Sequence, residues 1–188
     1  GRPGLRKVRQ QLTDNHEQIR IAAYRALRRN GQGRIAISKK MAKDPSSAVR
    51  REVALAMRDL PYGQAKEVLL TLGKAYDGED RHYLEALGTG ATGKEAQLYQ
   101  DLQKTLGHDD SIQWSKPFAN IAWRLHPSAA AEAFAKRAQS NELSGKDRTE
   151  ALVALAYMNN KKAIDSIVDT ASNSTGMTKA HSVWWLLN

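Results

Sequence analysis

The chain has 188 residues, 41% of them hydrophobic, which is enough to bury one sizeable core and too apolar for a disordered segment. It contains no Cys, which excludes disulfides, thiolate zinc sites, covalent c-type haem attachment and Cys nucleophiles from this segment, and no run long and apolar enough to insert into a membrane. The formal net charge is +9, and the excess lies in the first third: residues 1 to 60 hold fifteen Lys and Arg against five Asp and Glu, residues 61 to 188 fourteen against fifteen. Such basic side chains either coat exposed helix faces or meet an anionic partner: nucleic acid, an acidic protein surface or an anionic lipid headgroup.

Residues 5 to 12 place Leu5, Val8 and Leu12 on one helical face ahead of a turn at Asp14. DNHEQIRIAAYRALRRNG follows as a second helix, and Gly31 and Gly33 separate it from a helix over 34 to 43 that carries Ile35, Ile37 and Met41. Asp44-Pro45 makes a turn, Ser46 or Ser47 caps the next helix, and Val49, Val53, Ala56, Met57 and Leu60 recur at helical spacing until Pro61 stops them. The two turn-helix stretches match thirty residues apart, Asp14 with Asp44, Ile19 with Val49, Arg20 with Arg50 and Ala26-Leu27 with Ala56-Met57, which is the mark of a repeat.

Residues 64 to 76 put Val68, Leu69, Leu72 and Tyr76 on one face, and Asp77-Gly78 turns into EDRHYLEALG. A helix over 94 to 106 ends at Gly107, HDDS is a loop, and KPFANIAWRL (116 to 125) is broken by His126-Pro127. An Ala-rich helix over 128 to 139, the loop NELSG, DRTEALVALAYM, a helix over 161 to 171, the loop SNSTG and TKAHSVWWLL complete the chain. Taking Ala26, Ala56, Ala86, Ala122, Ala154 and Trp185 as anchors, the spacings are 30, 30, 36, 32 and 31 residues, which predicts six helical hairpins; nothing alternates in the manner of a strand.

Six residues before each anchor stand Arg20, Arg50, Asp80, Lys116, Arg148 and Lys179, a column that serves either as a ladder of ion pairs with turn carboxylates such as Asp14, Asp44 and Asp147 or as a basic inner groove. Arg25, Arg28 and Arg29 add to the basic face of the first third. Gly88, Gly90 and Gly93 spell G-x-G-x-x-G, but helical spacing precedes them where a dinucleotide site needs a strand, so they read as loop glycines. The five His are scattered, no Ser sits in a nucleophile elbow, and no catalytic, cofactor-binding or metal-ligating residue is proposed. Val183-Trp184-Trp185-Leu186-Leu187 closes the chain with two adjacent indoles about 100° apart on a helix, which cannot both face one core. Either the preceding hairpin covers them or Trp184 and Trp185 mark a docking edge.

The D-P-x-x-x-V-R-x-x-V-A-x-A-M arrangement of residues 44 to 57, echoed at 14 to 27, resembles the second helix of a HEAT repeat. That resemblance implies an all-α, armadillo-like α–α superhelix, a solenoid of about six hairpins over one domain, 1 to 188, used as a scaffold or binding surface. More narrowly, VRREVALAMRDLP with KAYDGEDRHYLEALGTGATGKE resembles the HEAT-repeat region of large exported bacterial proteins described as membrane-bound dehydrogenase-like or haem-binding. This implies a piece excised from a longer multidomain protein, a periplasmic or extracytoplasmic setting, and neighbouring domains of the same chain as partners. Since neither the CxxCH of the haem module nor propeller strands occur here, any redox activity and its cofactor would belong to other parts, and this segment is expected to be no enzyme. The expected role is a non-catalytic scaffold or protein-interaction domain, the alternative a basic HEAT-like module that binds nucleic acid.

Overall fold

In the computed structural model, which describes residues 2–31, 34–158 and 160–188, the chain is all helical, with twelve α-helices and no strand among the described residues. Gly33, expected to separate the second hairpin, lies outside the described residues. The helices gather into two compact units, Gly1–Lys94 and Glu95–Asn188.

The first unit holds α1 (Arg2–Gln10) with a 3₁₀ turn (Gln11–Thr13), α2 (Glu17–Arg29), α3 (Arg34–Met41), α4 (Ser47–Ala56), α5 (Tyr62–Lys74) and α6 (Arg81–Gly90). These are three hairpins; α4 packs between α2 and α6, while α3 packs on α5 in a second layer. The 3.6-residue spacing is what makes this layering work, because Val49, Val53 and Met57 fall on one face and are fully buried, as are Val68, Leu69 and Leu72 on α5. Each such side chain contributes about 1.5–3 kcal/mol on leaving water. Ser46, rather than Ser47, caps α4, its hydroxyl accepting from the Val49 amide at 3.5 Å. The helix ends at Ala56, earlier than the apolar spacing suggests; Leu60 precedes Pro61, which disfavours helical backbone, and the chain turns there with Pro61 as the N-cap of α5.

Two expectations are corrected here. Ile19 matches Val49 in sequence yet is 40% exposed against 0%, because α4 is flanked by both α2 and α6, whereas in that layer α2 is flanked by α4 on one side. Gly88 and Gly90 are not loop glycines but buried residues inside α6, and only Gly93 lies in a turn, at φ 74°. Gly90 is where α6 crosses α4: a Cβ there would come within 2.2 Å of the Ala54 carbonyl oxygen.

The second unit holds α7 (Glu95–Leu106), a 3₁₀ turn (Ser111–Gln113), α8 (Lys116–Leu125), a further 3₁₀ turn (Ser128–Ala130), α9 (Ala131–Gln139), α10 (Gly145–Tyr157), α11 (Lys161–Asn173) and α12 (Gly176–Leu187). Here α8, α10 and α12 form one layer, and α9 packs on α11 in the other. Ser115, Ser144 and Asn160 cap α8, α10 and α11 by accepting from the amide three residues on, each worth about 1 kcal/mol. The core is aromatic: Tyr99 stacks on Phe118 at 5.9 Å, and the Trp114 ring stands edge-on to Phe118 at 4.9 Å and to Phe134 at 5.7 Å. Trp114 also donates its indole N–H to the His108 carbonyl at 3.0 Å, which ties the loop after α7 to that cluster.

Candidate functional site

The residues singled out by spacing fall in three places. Arg20, Arg50, Arg148 and Lys179 each occupy the fourth position of α2, α4, α10 and α12, but Asp80 is the N-cap of α6 and Lys116 the first residue of α8, so the six are not one equivalent column. The Asp80 carboxylate accepts from the Tyr83 amide at 2.9 Å, a helix-starting role.

Arg20 is almost wholly buried. Its Nε and Nη2 each donate to one oxygen of Asp44 at 2.8 Å, and its Nη1 donates to the carbonyls of Asp14 at 2.8 Å and Asn15 at 3.2 Å. One guanidinium thereby joins the turn before α2 to the turn before α4, and the Asp44 hydrogen bonds hold Arg20 above its ordinary pKa. Arg50 repeats the local half, donating from Nη1 to the carbonyls of Asp44 at 2.7 Å and Pro45 at 2.9 Å, with its guanidinium 5.3 Å over the Tyr83 ring. Arg148 donates to the Ser140 carbonyl at 3.4 Å in the same sense, and Lys179 is exposed. The Arg positions of the repeat are thus turned toward turn carbonyls.

On the outer part of α2, Arg25 binds Glu52 at 2.6 Å and Arg28 approaches the other oxygen of the same, buried, carboxylate at 3.7 Å. Of the three Arg expected on this basic face, only Arg29 is exposed without an acidic neighbour at ion-pair distance among the described residues. A charge count along the chain could not show this, because the compensating carboxylate arrives from the following hairpin.

The third place is the last hairpin. Helix α11 buries Ala163, Ile167 and Thr170 and turns Ile164 and Val168 outward. Helix α12 buries only Ser182 completely, and Val183, Trp184, Leu186 and Leu187 are exposed, Trp184 by 54%. Trp185 is half-buried, its ring 4.8 Å from Trp184 and 6.0 Å from Tyr157. Tyr157, itself exposed, lies 5.4 Å from His126, whose ring is 5.5 Å from Trp123. Five aromatic and imidazole rings thus run across the ends of α8, α10 and α12. Sequence reasoning found the two indoles at the chain's end and missed Tyr157 and His126; the available signal was an aromatic residue near the end of each alternate helix.

Chemistry-bearing groups are dispersed. Among the described residues no group of three or more His, Cys, Asp and Glu is placed to hold a metal ion, and no helix is long and apolar enough to cross a membrane. Comparison with known proteins adds no identity, since no protein-family model matches the chain and no curated protein matches it either.

Proposed function

We propose that this chain is a non-catalytic helical-repeat scaffold whose protein-interaction surface is the apolar face of α11 and α12. The observation that carries it is the concentration of large exposed apolar side chains on that hairpin, Ile164, Val168, Val183, Trp184 and Leu187, beside the half-buried Trp185. An indole or leucine that is left wet in the free protein contributes binding free energy when a partner covers it, of the order of 1.5–3 kcal/mol each. The partner is a protein with an apolar helical face, in the first place a neighbouring domain of the same polypeptide. The resemblance of residues 44 to 95 to the HEAT-repeat region of exported dehydrogenase-like and haem-binding proteins supports that setting, in which the redox chemistry would lie outside this segment.

The test is a photo-crosslinking residue in place of Trp184, in cells expressing the full open reading frame. Crosslinks to another part of the polypeptide or to one defined protein are expected. Position 184 remaining uncrosslinked and open to solvent in that context would end the proposal. A parallel titration with duplex DNA covers the nucleic-acid alternative: weak binding at physiological salt is expected, whereas submicromolar binding that falls steeply with salt and flattens in Arg25→Ala, Arg28→Ala, Arg29→Ala would replace the scaffold reading.

A further inference from the structure

The second unit contains a cavity of about 240 Å³ between α8, α9 and α10. Its apolar wall includes the aromatic residues Trp114, Trp123 and Phe134 beside Leu143 and two alanines. Arg137 lies among these rings, 6% exposed, with its guanidinium 5.6 Å over the Trp114 ring and its Nη1 donating to the Ser111 carbonyl at 2.5 Å. No carboxylate among the described residues lies within ion-pair distance of it, and its Nε and Nη2 make no hydrogen bond to a described residue. Burial weighs against this cation; Asp147 and Glu150, which line the same cavity, offset that cost by attraction without reaching ion-pair distance, and the Ser111 carbonyl supplies the one direct hydrogen bond. Arg20, the other strongly buried Arg, shows what full compensation looks like: two carboxylate contacts and two carbonyls.

The rim completes the chemistry. Lys116 reaches the cavity from the start of α8, and Asp147 and Glu150 reach it from α10. Both carboxylates have partners of their own, Asp147 accepting from the Ser144 hydroxyl at 2.6 Å and Glu150 standing 3.8 Å from Lys146, and both line the cavity. An anion alone would be attracted by Arg137 and opposed by this acidic wall, whereas a molecule with a carboxylate at one end and an ammonium nearby satisfies both. The volume suits a molecule of roughly a dozen heavy atoms, below the size of common cofactor sites.

We infer that this cavity is a binding site for a small aromatic zwitterion of the α-amino-acid class, with the carboxylate on Arg137, the ammonium toward Asp147 and Glu150, and the ring among Trp114, Trp123 and Phe134. The buried guanidinium supplies a bidentate fork, and the aromatic wall supplies the stacking surface.

The site is tested on the intact chain by nitrogen–proton NMR, following the indole N–H signals and the Arg137 Nε–H, with three probes: phenylalanine, 3-phenylpropionate without the ammonium, and phenethylamine without the carboxylate. Phenylalanine is expected to shift the Arg137, Trp114 and Trp123 signals with a Kd on the order of 0.1–1 mM and to leave Trp184 unshifted. Phenylpropionate is expected to bind more weakly at the same signals, and phenethylamine at least tenfold more weakly than phenylalanine. Arg137→Gln is expected to lose the phenylalanine response by tenfold or more, and Arg137→Lys, which keeps the charge, to weaken it less. Phenethylamine binding as well as phenylalanine, shifts confined to Trp184 and Trp185, or no shift at about 10 mM phenylalanine would each overturn the assignment; the NMR readings on the unaltered chain hold even if Arg137→Gln fails to fold.

Discussion

Single residues decide more here than their type announces. Gly90 and Gly63 both sit in helices, where alanine is ordinarily the better residue by roughly 0.5–1 kcal/mol, yet their surroundings are opposite. A Cβ at Gly63 meets nothing within 4 Å, and one at Gly90 meets the Ala54 carbonyl at 2.2 Å. Gly63→Ala is therefore expected to raise the urea midpoint and Gly90→Ala to lower stability by about 1–3 kcal/mol, as α4 and α6 are pushed apart; equal effects of the two would deny the close crossing. Tyr99 offers a test by pH. Burial against Phe118 and Trp114 pushes its hydroxyl up to about 12, from an ordinary 10.0. The folded state thus keeps a proton that the unfolded chain releases, so stability is level below pH 10 and falls as the pH rises from about 10 to about 12. Tyr99→Phe is expected to flatten this decline in urea midpoints, leaving the part due to Tyr24 and Tyr83, which burial also raises. An unchanged alkaline slope would count against the burial of that hydroxyl.

Among the elements, the helices follow their apolar spacing closely: the expected helix at 116 to 125 is α8 to the residue, and most other ends differ by two or three positions. How one hairpin is tied to the next was less legible. The Arg20–Asp44 link joins two turns, so Arg20→Met and Asp44→Asn are each expected to lower the urea midpoint, and the double variant to fall little below either single, because both remove the same pair. Full additivity would show two independent contributions. At α12 the expectation of one surface indole becomes specific. Trp184, 54% exposed, is expected to be quenched by acrylamide several-fold more readily than the half-buried Trp185, measured in Trp185→Phe and Trp184→Phe respectively with the other indoles as the common background. If both resist quenching equally, the apolar face is covered in solution and the proposed interaction surface is lost with it.

At the scale of the whole chain, the two compact units carry different reporters. All four Trp, 114, 123, 184 and 185, lie in Glu95–Asn188, while helical circular dichroism arises from both units. Repeat folds are held by neighbour contacts, so their cooperativity can break between blocks. Urea unfolding followed by fluorescence is expected to have a different midpoint from that followed at 222 nm, and coincident curves would mean a single cooperative body. By itself the sequence determined the helical class, the hairpin count and the turn positions, because these depend on residues one helical turn apart or on a repeat of about thirty residues, both visible along one dimension. Tertiary structure alone decided which charges are free. Arg20 meets Asp44 24 residues away, Arg25 meets Glu52 27 away, and Arg137 meets the Ser111 carbonyl 26 away with no carboxylate among the described residues at ion-pair distance. Such pairings depend on where neighbouring helices cross and how far each side chain reaches. Two buried arginines therefore become a bidentate link between turns in one unit and, in the other, a cavity-lining cation without a directly paired carboxylate.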